Sequence, residues 1–187
     1  MGLLNCDVAS EVGDILGVGC NDKGGVLRMA WADAKTIDSI TWTADKITAI
    51  TFDSGGEFSE VRIDPENSSF FDEYTKDGGS YEQTVLMYFK SLNCETREAL
   101  VKAVGLCPII VVAELANCQV FAMGIQKRGA DFEIQFPMAL EPTRHRNDAG
   151  QMGGDRSRHE FELTGKAMQA MQCVDIEFDD LPGIAVV

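Results

Sequence analysis

The chain has 187 residues, 45% of them hydrophobic and 25% charged, with 16 Lys and Arg against 30 Asp and Glu and a formal net charge of −14. These values predict a single globular domain over residues 1–187, large enough to bury a core. They argue against binding to nucleic acid or to an anionic membrane surface, because both need an excess of Lys and Arg. No apolar run approaches the roughly 20 residues that span a bilayer, so no membrane partner is predicted.

The amino-terminal part of the chain is interpreted as an arm followed by strands. Residues 1–23 hold scattered glycines and single apolar residues without a sustained period, so their order is expected to depend on a partner. Leu27, Met29 and Trp31 then alternate with Val26, Arg28 and Ala30, a period of two that indicates a β-strand. Further strands are predicted at 40–44, 46–52 and 58–63.

A long hairpin follows these strands. Two runs rich in aromatic and β-branched residues flank the sequence Asp-Gly-Gly at 77–79, a strong hairpin signal because glycine accepts positive φ. The second arm, residues 81–92, would be about 40 Å long at roughly 3.3 Å per residue. It carries apolar groups on both faces, so it either lies inside a sandwich or is completed by a neighbouring subunit. The candidate subunit-interface residues of this arm are Tyr81, Val85, Met87 and Phe89.

The remaining sequence predicts one helix and more strands. The helix covers residues 95–104, where Glu98 and Lys102 form an i,i+4 pair and Gly105 follows the last turn. Strands are predicted at 108–115, 119–125, 131–136, 160–164 and 174–178. The fold class is therefore mainly β, a sandwich or barrel with one flanking α-helix and a long hairpin.

Residues 142–158 form a predicted long polar loop that is rich in arginine. These arginines have two interpretations: a solvated loop tip, or a segment that docks onto the acidic surface of another copy, where guanidinium groups pair with carboxylates. Under the second interpretation they are further candidate interface residues. They are Arg144, Arg146, Arg156 and Arg158.

No catalytic, cofactor-binding or metal-binding constellation is visible in the sequence. His145 and His159 are the only histidines and are interpreted as solvated loop residues. The six cysteines include no C-x-x-C pair, so they are expected to be reduced, mostly buried thiols of a protein made in a cytoplasm. The sequence therefore predicts no enzyme, no cofactor and no metal.

Several local motifs and their order carry a resemblance. A Gly-Gly pair precedes the first strand, DGG tips the long hairpin, ETREALVKAVG forms the single helix, VVAEL and QVFAMGIQ meet at Ala116-Asn117, and GGDRSR precedes a last strand that runs into LTGKAMQAM. In this order the chain resembles the tail tube (major tail) proteins of tailed bacteriophages, including a group from phages of gut Bacteroidetes. The resemblance covers residues 24–178 and lies in element order rather than in one specific motif.

The resemblance implies a virion structural protein, assembled in the bacterial host cytoplasm, that acts in the virion tail. Its copies would form stacked, hexameric rings, with the long hairpin in an inner barrel shared by the ring, and residues 1–23 and 142–158 bridging to adjacent rings. Its partners would be itself and other tail proteins, while DNA passes without specific binding. A lumen lined by carboxylates repels phosphate, and the candidate lumen residues are Asp72, Glu73 and Glu82.

Two alternatives stay open at this point. Another ring-forming virion protein, such as a tail terminator or head-to-tail connector, shares the ring but does not polymerise. A monomeric β-sandwich binding module would instead present an exposed aromatic platform. Trp31 and Trp42 are the only tryptophans available for such a platform, and core placement is expected for both.

Overall fold

A computed structural model describes residues 25–76, 78–89, 94–104, 108–128, 131–133, 140–148 and 158–184. Within these residues the chain is mainly β, as the sequence predicts, and it has two packed sheets, a separate two-stranded hairpin and one α-helix. The strands are β1 (Val26–Asp33), β2 (Ile37–Thr43), β3 (Lys46–Phe52), β4 (Ser59–Val61), β5 (Ser69–Thr75), β6 (Ser80–Phe89), β7 (Ile109–Leu115), β8 (Val120–Met123), β9 (Gln126–Arg128), β10 (Asp131–Glu133), β11 (Glu141–Asp148), β12 (Arg158–Ala167) and β13 (Gln172–Val174). Helix α1 spans Cys94–Val104, and 3-10 turns lie at Ala34–Thr36 and Phe178–Asp180.

The larger sheet has seven strands in the order β2-β3-β13-β8-β7-β1-β4. Residues from opposite ends of this sheet meet in one buried cluster, among them Ile40 of β2, Ile50 of β3 and Ala30 of β1. The sheet must therefore curl around that cluster. Phe178 and Leu181 from the segment after β13 belong to the same cluster, so this segment packs inside the curl.

Strand β7 contributes to two cores because both of its faces are covered. Ile110 and Val112 belong to the cluster inside the curl, whereas Ile109, Val111 and Ala113 belong to a second cluster on the other face. All five side chains are at most 2% exposed. The near-continuous apolar run predicts a deeply buried strand, and the structure confirms it.

The smaller sheet has four antiparallel strands in the order β11-β12-β6-β5. One of its faces packs on the larger sheet and, together with α1, encloses the second buried cluster. The members that the smaller sheet and α1 supply are Phe70, Val85, Met87, Phe89, Phe161, Leu163, Leu100 and Ala103. The two sheets thus form a sandwich, and the smaller sheet has one face that points away from the core.

The predicted hairpin is present as β5 and β6, which pair along the whole of β5. At its tip the N–H groups of Gly78 and Gly79 donate to the Thr75 carbonyl at 3.2 and 2.9 Å, and Gly79 has a φ of +60°, which favours glycine. Strand β6 ends at Phe89, and residues 90–92 of the predicted arm lie outside the described residues.

Most of the other predicted elements are confirmed with small shifts of their ends. Strand β3 has the predicted bounds, and α1 begins one residue earlier than predicted. The predicted strand at 131–136 is seen as β10 for its first three residues, and the rest lies outside the described residues. The predicted N-terminal arm, residues 1–23, also lies outside them.

The largest departure from prediction is β11. The sequence predicts a polar loop over residues 142–158, but Glu141–Asp148 is a strand that pairs with β12. The side chains of β11 that face inward belong to proline, histidine and asparagine, so the apolar alternation that marks a strand is missing. Pairing with β12, and not local hydrophobicity, therefore makes this segment a strand. Residues 149–157 lie outside the described part of the chain.

The cysteines also differ from the expectation of reduced, mostly buried thiols. Cys118 is disulfide-bonded and has a left-handed φ of +62° in the turn between β7 and β8. Cys94 and Cys173 are free thiols and are exposed. The prediction is therefore wrong about the redox state of Cys118 and about the burial of the other two. The remaining three cysteines lie outside the described residues.

Candidate functional site

The candidate site is the side of the four-stranded sheet that faces away from the larger sheet, called here the outer face. Side chains alternate between the two faces of a strand, so the residues between the core positions project outward. Phe71 is 46% exposed there, and Leu86 and Tyr88 are half-buried. The outer face comprises Ser69, Phe71, Glu73 and Thr75 of β5; Ser80, Glu82, Thr84, Leu86 and Tyr88 of β6; Arg158, Glu160, Glu162, Thr164 and Lys166 of β12; and Glu141, Arg144, Arg146 and Asp148 of β11.

The hairpin end of the outer face is acidic. Glu73 of β5 lies directly opposite Glu82 of β6, and both side chains are exposed. Like charges at opposed positions of neighbouring strands destabilise a sheet. Lys166 lies opposite Glu82 on the other side, yet in the part of the chain that the structure describes neither carboxylate forms an ion pair. Negative charge at the β5 edge is therefore left uncompensated.

The other end of the outer face, on β11 and β12, carries arginine. Arg144 Nη1 lies 2.8 Å from Glu160 Oε1, a carboxylate whose side chain is only 6% exposed, and 48% of the Arg144 side chain stays exposed. Arg146 Nη2 lies 3.2 Å from Asp148 Oδ2. A buried carboxylate needs a charged partner, so Glu160 fixes one side of the Arg144 guanidinium and leaves the rest available for a further contact.

Within the described residues no further strand pairs with either edge of the four-stranded sheet, although helix α1 contacts β11. Strand β5 pairs only with β6 there, and β11 pairs only with β12. An edge strand presents a row of backbone N–H and C=O groups that can pair with another chain. Because neighbouring strands alternate in direction, β5 and β11 run in opposite directions. The two edges are thus complementary in direction as well as in charge.

Three of the predicted interface residues lie in the core of the chain itself. Val85 and Met87 are 0% exposed and Phe89 is 8% exposed, because the larger sheet covers them. They offer no surface to a neighbouring subunit in this structure, which corrects the predicted location of the interface. Tyr81 is half-buried, with its ring centroid 5.3 Å from that of Tyr74, which is 57% exposed.

The predicted lumen residues divide between the two faces. Glu73 and Glu82 are on the outer face, but Asp72 is at an inward position of β5, where the backbone N–H of Met171 donates to Asp72 Oδ2 at 2.7 Å. The prediction that Asp72 faces a lumen does not fit this placement. Adjacent residues of a strand point to opposite faces, so Asp72 and Glu73 could not both have lined one surface.

Three of the four predicted arginines are on the outer face, and Arg156 lies outside the described residues. Arg158 places its guanidinium carbon 5.3 Å from the centre of the Tyr88 ring, a cation–π contact. Sequence reasoning missed Phe71 and the partner of Arg144. The adjacent phenylalanines at 70 and 71 could have predicted an apolar residue on the outer face, because two neighbouring residues of a strand point to opposite faces and cannot both enter the same core.

The two histidines are not loop residues as predicted. His159 is 0% exposed and its Nδ1 lies 2.5 Å from Asn147 Oδ1, while the ring of His145 stacks on it with centroids 6.3 Å apart. His145 lies in β11 and His159 in β12, both at inward positions, so their placement depends on the strand that the sequence did not reveal. Within the described residues, no group of three or more His, Cys, Asp or Glu could hold a metal ion.

Neither tryptophan forms an exposed platform. Trp31 is half-buried against the second cluster, with its ring centroid 5.8 Å from that of Phe161, and Trp42 is half-buried against the cluster inside the curl. Both therefore lie mainly at the margins of the cores, as expected from the sequence.

A second charged cluster joins the C-terminal segment to the larger sheet. Arg28 lies 2.9 Å from Glu60, 2.7 Å from Asp179 and 3.9 Å from Glu114, and its guanidinium carbon is 4.4 Å from the centre of the Phe178 ring. Burial would lower the pKa of Arg28, but its hydrogen bonds to Glu60 and Asp179 outweigh burial and raise that pKa. Burial raises the pKa of Glu114, and the charge of Arg28 offsets this only in part. The cluster fastens the segment to the sheet.

In comparisons with known proteins, neither a family model, nor a curated protein, nor a solved structure matches the chain. Among the described residues, no helix has the length and apolar character needed to cross a membrane. The geometry of the four-stranded sheet is therefore the main basis for proposing a function.

Proposed function

We propose that this chain is a virion structural protein, a tail tube subunit whose copies join through the four-stranded sheet into closed rings. The observation that carries the proposal is the incomplete cover of this sheet: within the described residues it has one face in the core, one outer face, and two open edges. The resemblance in element order to tail tube proteins gives the assembly its biological setting, in which rings stack into a tube for the phage genome.

Ring formation follows from the geometry of the two edges. A long open edge strand is an aggregation hazard, and closing the sheet on itself through several copies removes it. Joining β5 of one copy to β11 of the next is a heterologous contact, which closes into a ring when the rotation between copies allows it. Because β5 and β11 run in opposite directions, the joined sheet stays antiparallel at every junction.

The outer face then lines the pore of the ring. Glu82 places a carboxylate at the hairpin end, where it would repel the phosphates of passing DNA, whereas Glu73 lies on the β5 edge, where the next copy joins. Acidic residues outnumber basic ones on this face by six to four, and Glu73, Glu82 and Glu141 lie towards its hairpin end. At the other end Arg144 and Arg146 each contact a carboxylate of the same chain, which reduces their attraction for phosphate.

Negative-stain electron microscopy and light scattering of the purified full chain at micromolar concentration test the proposal. We expect rings with a central pore, or tubes of stacked rings. Discrete rings that never stack would favour the terminator or connector alternative. A monodisperse monomer at all concentrations would overturn the proposal.

A matched pair of variants controls for non-specific association. Phe71→Lys and Leu27→Lys each replace an exposed apolar side chain, 46% and 36% exposed, by a cation. Phe71 lies on the β5 edge of the four-stranded sheet, whereas Leu27 lies on β1 of the larger sheet. We expect Phe71→Lys to reduce the yield of rings, because it adds a cation where the arginines of the β11 edge join, and Leu27→Lys to leave the yield close to wild type.

A further inference from the structure

We propose that β5 of one copy pairs with β11 of the next copy after a slip of four residues, which sets Glu73 directly against Arg144 of that next copy. A slip is here the number of residues by which one copy is displaced along the strand direction relative to its neighbour. This inference rests on the proposed function, because it assumes the ring. It adds the register of the junction and the ion pair that fixes the register.

The strand pairing inside one copy determines how many residues of β5 would lie opposite β11 of the next copy if the two copies joined without a slip. Following the pairs across the sheet, Arg144 shares a row with Ser69, and Glu141 shares a row with Phe71. Without a slip, only the first three residues of β5 would therefore meet β11 of the next copy. Glu73 lies four residues beyond Ser69, so a slip of four brings the two strands together over the whole of β5.

The charges select among the possible slips. An odd slip would turn the outer face of one copy into the inner face of the next, so only even slips are possible. A slip of two sets Glu73 against Glu141, two like charges, whereas a slip of four sets it against Arg144. A slip of six sets Glu73 against Arg146 but shortens the paired length. Four is the slip that combines full overlap with an opposite-charge pair.

Glu73 has no cationic partner in the described part of its own copy, and Arg144 keeps exposed N–H donors after its contact with Glu160. Glu73 opposes Glu82 inside its own copy and forms no ion pair among the described residues. Arg144 contacts Glu160 on one side and has 48% of its side chain exposed. A guanidinium has five N–H donors in a planar fork and can contact two carboxylates at once. Arg144 can therefore keep Glu160 and bind Glu73 of the neighbour.

The same slip produces a barrel of ordinary geometry. Each copy contributes four strands, so a slip of four residues per copy corresponds to an average displacement of one residue per strand around the barrel. With about 3.3 Å of rise per residue and about 4.8 Å between strands, one residue per strand tilts the strands by about 35°, inside the range of about 35–45° found in closed barrels. By the same relation a slip of two gives about 19°, which is too flat for such a barrel.

Charge also argues against a symmetric dimer through one edge. A two-fold contact would pair β5 with β5, or β11 with β11, because an isologous interface uses the same patch on both copies. The first would bring Glu73 near its own equivalent and the second would cluster Arg144 and Arg146 with theirs. The heterologous junction is the contact that sets Glu73 against an arginine, and it is also the contact that continues around a ring.

Disulfide trapping tests the register on the full chain. In a background with Cys94→Ser and Cys173→Ser, which removes the exposed thiols, Phe71→Cys is combined in turn with Arg144→Cys, Arg146→Cys and Asp148→Cys. These pairs report slips of two, four and six, because directly opposed residues bring their Cβ atoms within about 4.5–5.5 Å. We expect the Phe71→Cys/Arg146→Cys protein to form covalent ladders of subunits at least tenfold faster than the other two. The background without new cysteines gives the baseline.

A charge reversal tests the ion pair independently. Glu73→Lys places a cation against Arg144 of the next copy, whereas Glu82→Lys makes the same change one strand away from the edge. We expect Glu73→Lys to raise the concentration needed for ring formation at least tenfold, and Glu82→Lys to leave it within about twofold. Thermal unfolding of both variants under monomeric conditions shows whether either change acts through the fold, and the two should melt together.

The outcomes separate this inference from the proposed function. Rings with fastest trapping at slip two or six, or with no preference among the three, overturn the register while the ring stands. Rings that tolerate Glu73→Lys as well as Glu82→Lys overturn the ion pair. A wild-type chain that forms no rings overturns the proposed function and this inference with it.

Discussion

The two sheets of this chain differ in how completely they are covered. The larger sheet curls around one core, takes the C-terminal segment inside the curl, and carries the second core on its other face. The smaller sheet shares only the second core and, within the described residues, has both edges open. The larger sheet also has edge strands, β2 and β4, so the difference between the sheets lies in their faces. The central strands of the larger sheet are covered on both faces, whereas the smaller sheet has a core on one face only. We therefore expect the residues that control assembly to lie on the outer face and edges of the smaller sheet. The residues that control folding should lie on the buried faces of both sheets.

The largest effect is expected at the inner face of the smaller sheet. Phe161 is 0% exposed and its ring makes an edge contact with Trp31 of the larger sheet. Phe161→Ala should lower the free energy of unfolding by about 3–5 kcal/mol, because it opens a cavity between the sheets. Denaturant titration of the monomer measures the change.

The matched control is on the opposite face of the same sheet. Phe71→Ala should change the free energy of unfolding by no more than about 0.5 kcal/mol, because the side chain is already 46% exposed. Equal losses at the two phenylalanines would show that the outer face is as closed as the inner one, and the contrast between the sheets would fail.

A smaller effect is expected from the polar contact between the sheets. Gln83 is 0% exposed, and its Oε1 accepts a 3.0 Å hydrogen bond from the backbone N–H of Gly124. Gln83→Leu leaves that N–H buried without an acceptor and also removes an amide nitrogen that has no partner among the described residues. The two changes oppose each other, so we expect a loss of roughly 1–2 kcal/mol. Thermal unfolding is the measurement.

The comparison for this variant is its exposed neighbour. Glu82→Gln should not lower the melting temperature, because it removes one of two opposed like charges. If Gln83→Leu were equally harmless, the hydrogen bond to Gly124 would not hold the sheets in register.

The fastening of the C-terminal segment should contribute less. Arg28→Met removes the only cation among the described residues that contacts Glu60 and Asp179, and leaves the carboxylates to repel one another. We expect a loss of about 0.5–1 kcal/mol, because the network is partly exposed. The loss should shrink in high salt as the remaining charges are screened.

A surface pair of the same sheet provides the reference for Arg28. Lys46→Met breaks a 3.7 Å pair with Asp175 in which both side chains are about 60% exposed; the effect of such a pair is close to zero. Indistinguishable melting curves for the two variants would mean that Arg28 does not fasten the segment.

The smallest effect should appear at Glu114, and it depends on pH. Burial raises the pKa of Glu114 in the folded chain above its ordinary value, so the folded state binds this proton more tightly than the unfolded state. Wild-type stability therefore falls as pH rises from the unfolded pKa through the folded pKa. Glu114→Gln lacks this titration, so its melting temperature relative to wild type should rise across that window and then stay constant. A relative melting temperature that falls over the window would contradict the raised pKa.

Sequence reasoning recovered the elements whose signals are local. Strand β3 alternates cleanly, β7 is continuously apolar, and the Asp-Gly-Gly turn marks the hairpin, so each could be placed from neighbouring residues alone. Strand β11 was beyond reach because its inward residues are not aliphatic. It is a strand because β12 lies beside it, and that partner is distant in sequence.

The candidate site shows the same division between local and distant information. The period of two correctly separated Val85, Met87 and Phe89 from the residues between them, but it could not tell which face the larger sheet would cover. The arginines of β11 were recognised as an unusual group, yet the contact of Arg144 with Glu160 depends on strand pairing. Alternation reveals that a strand has two sides, and only long-range contacts decide which side stays in water.

The number of strands that each copy contributes has a consequence for size. Because the smaller sheet supplies four strands, an even number, any count of subunits closes without a parallel mismatch at the seam. Diameter is then governed by the bend between adjacent subunits and not by strand parity. A substitution that flattens this bend should enlarge the circle by whole subunits, and particles of mixed circumference would appear side by side on one micrograph.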